Sequence, residues 1–168
     1  MFPKYNLGKN GELYVVEIFD KLGFKAELNN DYEKRYDYDV TVDINNKKYT
    51  IEVKHDIMSI KTKNIAIEYW NSKKNAASGI NATLADIWVQ LLPQKSCEIY
   101  VYAVNVNKLK KFLENNEPYK HIIAGGDDNS NIFISKIEEI IPIFTRLDNI
   151  TNPRAMEITL ETIYEDNE

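Results

Sequence analysis

The chain has 168 residues, 43% of them hydrophobic and 28% charged, with a formal net charge of −5. That is enough chain for one domain with a sizeable core, and the acidic balance argues against non-specific nucleic-acid binding. No apolar run reaches the length of a membrane span, the N-terminus carries no signal-like apolar stretch, and the single cysteine, Cys97, excludes an intrachain disulfide, so an intracellular, cytoplasmic setting is expected.

The first predicted element is a helix from about Lys9 to Leu22. Leu13, Val16 and Phe19, with Val15 and Leu22, recur at helical spacing, and Gly23 is a natural stop. Phe24 to Leu28 reads as a short edge strand, and Asn29 to Arg35 as a polar loop. The stretch YDYDVTVDINNKKYTIEVKHD (36 to 56) reads as a β-hairpin turning at Asn45-Asn46, two residues that tolerate the left-handed conformation of a tight primed turn. In that register Tyr38, Val40, Val42 and Ile44 share an apolar face with Val53, Ile51 and Tyr49. The other face pairs Asp37 with Lys54, Asp39 with Glu52, Thr41 with Thr50 and Asp43 with Lys48. A one-residue slip would mix the faces, so the pattern fixes the register.

Residues 56 to 64 form a basic connection. Asn64 to Trp70 alternates and is expected as a third core strand, with Ile65, Ile67 and Tyr69 on one side and Glu68 and Trp70 on the other. The small, polar run 71 to 81 is a loop. Thr83 with Asp86 resembles a capping box opening a helix through Ile87, Trp88 and Leu91 that stops near Pro93, and Trp88 is expected in the core. Cys97 to Val106 is near-continuously apolar, as a central strand would be. Asn107 is expected to cap a helix over 108 to 113. Residues 124 to 131, including Asp127 and Asp128, read as a solvated turn, 132 to 134 as a short strand, and Ser135-x-x-Glu138 as a second capping box before Pro142. Residues 143 to 168 show no decisive period. The expected fold class is α/β, a mixed β-sheet flanked by helices, in a single domain spanning 1 to 168.

The hairpin register creates an electrostatic problem. Asp39 and Glu52 become cross-strand neighbours with Cβ atoms about 5 Å apart. Carboxylates that close repel, so one takes a proton or a cation sits between them. A hard ion such as Mg²⁺ needs only one or two carboxylates and keeps several waters. Lys54, two positions after Glu52, points to the same side of the strand. Two acids and an ammonium suit metal-assisted hydrolysis of a phosphodiester. Residues 45 to 75 also hold seven lysines against three acids, and Lys48, Lys61, Lys63, Lys73 and Lys74 are candidate phosphate contacts. Glu68 is either a further site carboxylate or a surface residue.

Asp39, twelve residues, then Glu52-Val53-Lys54, with Glu12 on a preceding helix, resembles the PD-(D/E)XK nuclease superfamily. Tyr38 stands where the pattern's name has proline. The run IAIEYWNSKKNAASGINATLADIW (65 to 88) is similar to a branch of phage and bacterial endonucleases with Holliday-junction resolvases among its relatives. The resemblance covers about residues 5 to 105, leaving 107 to 168 as elaboration. It implies a restriction-endonuclease-like core of helix, three strands, helix and strand, and DNA cleavage dependent on Mg²⁺ or Mn²⁺. It also implies metal ligands Asp39, Glu52, the Val53 carbonyl and, directly or through a water, Glu12, with Lys54 steadying the developing charge. A symmetric homodimer and branched DNA would fit resolvase-like relatives. The alternative is a catalytically inactive nucleic-acid-binding or assembly protein, its acids forming a structural charge ladder.

Overall fold

Val15 and Phe19, one turn apart and both buried, give helix α1 (Leu7–Lys21) its core-facing side. Gly23 ends it at φ +83°, a left-handed conformation that costs glycine nothing. The computed structural model describes residues 7–31, 33, 37–123 and 129–166; Asp127, Asp128 and part of the polar loop before the hairpin lie outside them. Edge strand β1 (Lys25–Leu28) follows, then β2 (Val40–Ile44) and β3 (Lys47–His55). Asn45 and Asn46 take φ of 52° and 64°. The strands pair in the anticipated register, Val40 with Ile51, Val42 with Tyr49 and Asp43 with Lys48.

The chain then leaves this sheet through the one-turn helix α2 (Ser59–Thr62) for β4 (Asn64–Asn71), the short β5 (Ala76–Ala77) and a 3-10 turn at Gly79–Asn81. It returns as β6 (Ile87–Pro93), parallel to β3, with Ile51 beside Ile87 and Lys54 beside Gln90. Next come β7 (Ile99–Asn105), α3 (Val106–Asn115), β8 (Lys120–Ile123), β9 (Ser130–Lys136) and the one-turn α4 (Ile137–Ile140). Strand β10 (Thr145–Arg146) and helix α5 (Pro153–Glu165) complete the chain. One mixed sheet has the order β1-β2-β3-β6-β7-β10, and a second, antiparallel sheet has the order β5-β4-β9-β8.

Two cores result. On one face of the six-stranded sheet, Val40, Ile51 and Val89 pack with Phe19 of α1 and Met156 and Leu160 of α5. On the other, Trp88 and Leu92 pack against Ile65 and Ile67 of β4, Leu109 of α3 and Ile140 of α4. A mixed sheet flanked by helices is the architecture expected from the sequence. Among the described residues no helix is long and apolar enough to cross a membrane.

Several local expectations are corrected. The segment 87 to 93 is a strand, not a helix. Asp86 does not cap: its carboxylate accepts from the Thr50 amide at 3.0 Å and the Thr50 hydroxyl at 2.8 Å, tying the start of β6 to β3. The run Ile87 to Leu92 is then buried on both faces, as a parallel strand requires. The strand at 64 to 71 exists and alternates as expected as far as Glu68, where a bulge interrupts it, but it belongs to the second sheet. Asn105, not Asn107, caps α3, accepting the amides of Asn107 and Lys108. Ser135 lies in β9 and does not cap, since Lys136 precedes α4 without a side-chain bond. Cys97 is an exposed turn residue at φ 67°, ahead of β7. Tyr38 packs with the second core rather than beside Val40.

α5 is the longest element the sequence reading missed, beside the short strands β5, β8 and β10. Its signals are Asn152 at the N-cap, Pro153 in the first turn, and Met156, Leu160 and Ile163 buried at i, i+4 and i+7. A helix of this length is marginal alone. Each of those side chains contributes about 1.5–3 kcal/mol by leaving water, so packing holds it. Asn105 couples this helix to α3, because its Nδ2 donates to the Tyr164 carbonyl at 2.8 Å while its Oδ1 caps α3. Asn105→Ala should therefore lower stability by about 1–3 kcal/mol, read as a lower urea midpoint with an unchanged slope; an unaltered midpoint would show that the coupling contributes nothing.

Candidate active site

β3 alternates between the two cores. Its odd residues Tyr49, Ile51 and Val53 enter the first core, while Glu52 and Lys54 turn toward the gap between the sheets. β2 stops pairing at Val40, and Asp39 lies just before it. The Asp39 amide donates to the Ile51 carbonyl at 2.9 Å, so the ladder does not run on to pair Asp39 with Glu52 as the simple register required. The Asp39 carboxylate instead takes the place of a strand, accepting the Val53 amide at 2.8 Å through Oδ2. The two acids still come together, lining one cavity of about 690 Å³ with Lys54.

Each group in this cavity is held. Glu52, only 8% exposed, accepts the Lys54 ammonium on Oε1 and the Thr83 hydroxyl, at 3.1 Å, on Oε2. The one Thr83 hydroxyl hydrogen is shared between Glu52 and the Asp37 carbonyl, also at 3.1 Å, and the hydroxyl oxygen accepts the Ala85 amide, so the turn before β6 holds Glu52 from the side. The Lys54 ammonium lies 5.5 Å from the Trp88 ring centre, a cation–π contact across the strand pair. The ladder expected to join Lys54 to Asp37 is absent, because Glu52 takes the ammonium; Asp43 does stand opposite Lys48.

From the second sheet, Glu68 of β4 reaches the same cavity, its Oε1 accepting the hydroxyls of Ser78 at 2.6 Å and Ser130 at 2.9 Å. Gly79 lets the loop approach β4 this closely. A Cβ there would sit 2.1 Å from the Glu68 carbonyl oxygen, and its φ is +51°. Thr83, Ser78 and Ser130 were not singled out as site residues in the sequence. A Ser-Gly loop is the single local hint, and the hydroxyls gain meaning only from the fold.

Of the lysines expected to meet substrate, Lys74 lines this cavity. Lys73 is exposed on the adjoining loop. Lys48 lies four residues back along β3, about 13 Å from Glu52. Lys63 borders a different groove, and Lys61 is exposed on α2 nearby. Glu12, half-buried on α1, is outside the cavity lining, yet its charge reaches Asp39. His55 turns toward α1, its Cβ 3.4 Å from the position of a Cβ on Gly11. Among the described residues no three Asp, Glu, His or Cys side chains converge as a preformed metal cage.

The electrostatics follow from crowding. Burial, then the neighbouring Glu52 charge, push the Asp39 carboxyl up to about 6, against the pull of the Val53 amide and Lys54. Burial works against the Lys54 ammonium, but attraction and hydrogen bonding to Glu52 override it and raise its pKa above the ordinary lysine value, so it stays charged.

No family model matches the chain, and no curated relative does. Among solved structures, the fold is similar to those of two nucleases. A bacterial homing endonuclease superposes over 64% of this chain and 68% of its own, at 19% identity and a TM-score of 0.45. The Holliday junction resolvase Hjc of Archaeoglobus fulgidus superposes over 86% and 94%, at 12% identity and a TM-score of 0.46. At these values no residue role is carried across, and the function rests on the cavity itself.

The raised Asp39 value has a consequence for stability. Folding takes up a proton between the unfolded value, about 4, and the folded one, so this group's contribution is greatest below about 4 and is lost as pH rises to about 6. Asp39→Asn keeps an oxygen for the Val53 amide and removes the charge. In metal-free buffer it should stabilise the protein by about 1–3 kcal/mol at pH 8, with the gain shrinking to nothing near pH 4. A gain independent of pH would contradict the assigned electrostatics.

Proposed function

We propose that this chain is an endonuclease that hydrolyses DNA phosphodiester bonds with Mg²⁺ or Mn²⁺. The observation that carries the reading is the meeting of Asp39, Glu52 and Lys54, from adjoining strands, at the floor of one open polar cavity. The donor set fits a hard divalent ion. Two acids share the space with one ammonium, and burial, with the Glu52 charge second, pushes Asp39 up to about 6. Such an ion needs few protein ligands and keeps its water, so a preformed cage is not required. The Val53 amide donates to Asp39, and in an extended strand a residue's carbonyl points to the same edge as its amide. Asp39, Glu52 and the Val53 carbonyl would hold the ion, with Glu12 adding charge from α1. Bound there, the ion would polarise the phosphate and acidify a water.

The chain's own groups do the rest. The Val53 amide fixes the Asp39 carboxylate, and Thr83 fixes Glu52. Lys54 carries a permanent positive charge to the phosphate and offsets the negative charge that develops as the bond breaks. Lys74 at the cavity rim, with Lys73 beside it, would meet flanking phosphates. Glu68, held by two serines, stands across from Lys54 as an accessory acid. A branched substrate and a homodimer belong to the same proposal.

Glu52→Ala and Lys54→Ala are expected to lower Mn²⁺-dependent cleavage by at least about a hundredfold, measured on linear and four-way DNA, with the circular dichroism of the fold retained. Wild-type rates in both purified variants would sink the assignment. A second reading, an inactive binding or assembly module, is favoured by one observation: Lys54 already neutralises Glu52. Metal titration separates the two. A catalytic site binds Mn²⁺ and loses that binding in Asp39→Asn, whereas a structural charge arrangement shows neither.

A further inference from the structure

Lys61 and Lys63 find no place at the catalytic cavity. Lys63 instead borders a second groove between the two sheets, of about 560 Å³, whose walls carry Tyr100, Tyr102 and Tyr119. Its walls are more apolar than polar, with the tyrosine rings, Leu92 and Ile137 set among Lys63, Lys136 and Glu138. Tyr119 is 59% exposed, and the Lys136 ammonium stands 5.1 Å from its ring centre. Tyr100 and Tyr102 meet edge to face, and Arg146 lies 3.6 Å over Tyr100. Glu138 is the one carboxylate among the described lining residues; Glu139, 3.8 Å from Lys136, and Asp148, bonded to Arg146, lie beside it. Lys61 and Lys63, both exposed, add positive charge at its rim.

The groove is in register with the catalytic lysine. Lys54 stands beside Gln90 on β6, and Gln90 beside Tyr102 on β7, so the three share one face of the sheet. Two strand spacings put Tyr102 about 10 Å from Lys54. Gln90 between them is fully buried, so the sheet face itself forms no open path from Lys54 to the groove. Tyrosine faces offer binding to bases that are unstacked, and lysines beside them hold the phosphates between; duplex DNA keeps its base faces covered.

We propose that this groove binds a single-stranded segment of DNA. This inference stands apart from the nuclease reading. The test is fluorescence anisotropy of the full chain with a 5′-labelled 15-nucleotide oligothymidylate and a duplex of equal length, in EDTA so that nothing is cut. Wild-type protein should bind the single strand more tightly than the duplex. Tyr119→Ala and Lys63→Glu, both at exposed positions, should weaken single-strand binding at least about fivefold. Lys63→Glu should also flatten the salt dependence by about 0.7 in log–log slope. Lys25→Glu, the same charge change on β1, should leave binding as it was.

Equal binding of the two DNAs, unchanged affinity in the groove variants, or equal weakening by Lys25→Glu overturns the inference. Cleavage of a duplex in Mn²⁺ without single-strand binding would overturn it while leaving the nuclease reading intact. Single-strand binding lost in the groove variants, in a protein that cuts nothing, would uphold the groove and sink the nuclease reading.

Discussion

The hydrogen bond from the Val53 amide to the Asp39 carboxylate governs the site. β3 is a central strand, and its amides must be satisfied once buried. β2 satisfies them as far as Val40, and at the next step a side chain does so instead. An aspartate in that position completes the sheet's hydrogen bonding and at the same time brings a negative charge beside Glu52. The acid pair is therefore a by-product of closing the ladder, and its burial, with the Glu52 charge second, raises the Asp39 value. Lys54 offsets half of the charge, and the cavity stays open to solvent.

Two other aspartates set the scaffold around that bond. Asp56 ends β3 and turns the chain outward, its carboxylate accepting amides from Ser59 in α2 and Ala66 in β4. Asp86 brings the chain back, its carboxylate on Thr50 and its amide on the Thr50 carbonyl at 3.0 Å. Between them runs the whole excursion that builds half of the second sheet. The excursion supplies the far wall of the cavity, with Glu68, Ser78 and Gly79, and the turn that carries Thr83. The second sheet thus roofs a site whose Asp39, Glu52 and Lys54 come from the first, and adds Glu68 and Lys74 to it.

Much of this was legible in the chain. The hairpin register, its asparagine turn, the edge strand, the first helix and the pairing of Glu52 with Lys54 on one side of a strand all follow from local pattern. What failed did so for physical reasons. Asp39 could not be seen to leave the ladder, because a period-two pattern carries no notice of where pairing stops. Thr83 and Asp86 fit the grammar of a helix start, yet Asp86 found a partner 36 residues back in Thr50, and the apolar run after it reads equally as a buried strand. Glu68 was undecided because its neighbours, Ser78 and Ser130, come from distant segments. α5 was missed for the opposite reason: its cap and spacing were present, but the flanking irregular stretch diluted them.

β3 serves two masters along its length, with the core reading its odd positions and the chemistry reading its even ones. Losing or gaining one residue within the hairpin would exchange the two sets, sending Glu52 into oil and Ile51 into the cleft. Length change elsewhere carries no such penalty; the exposed connection between β4 and β5 answers to no alternation. A lineage descended from this chain would be free to remodel its loops and its grip on substrate, while the spacing from Asp39 to Lys54 stayed frozen as a unit of heredity.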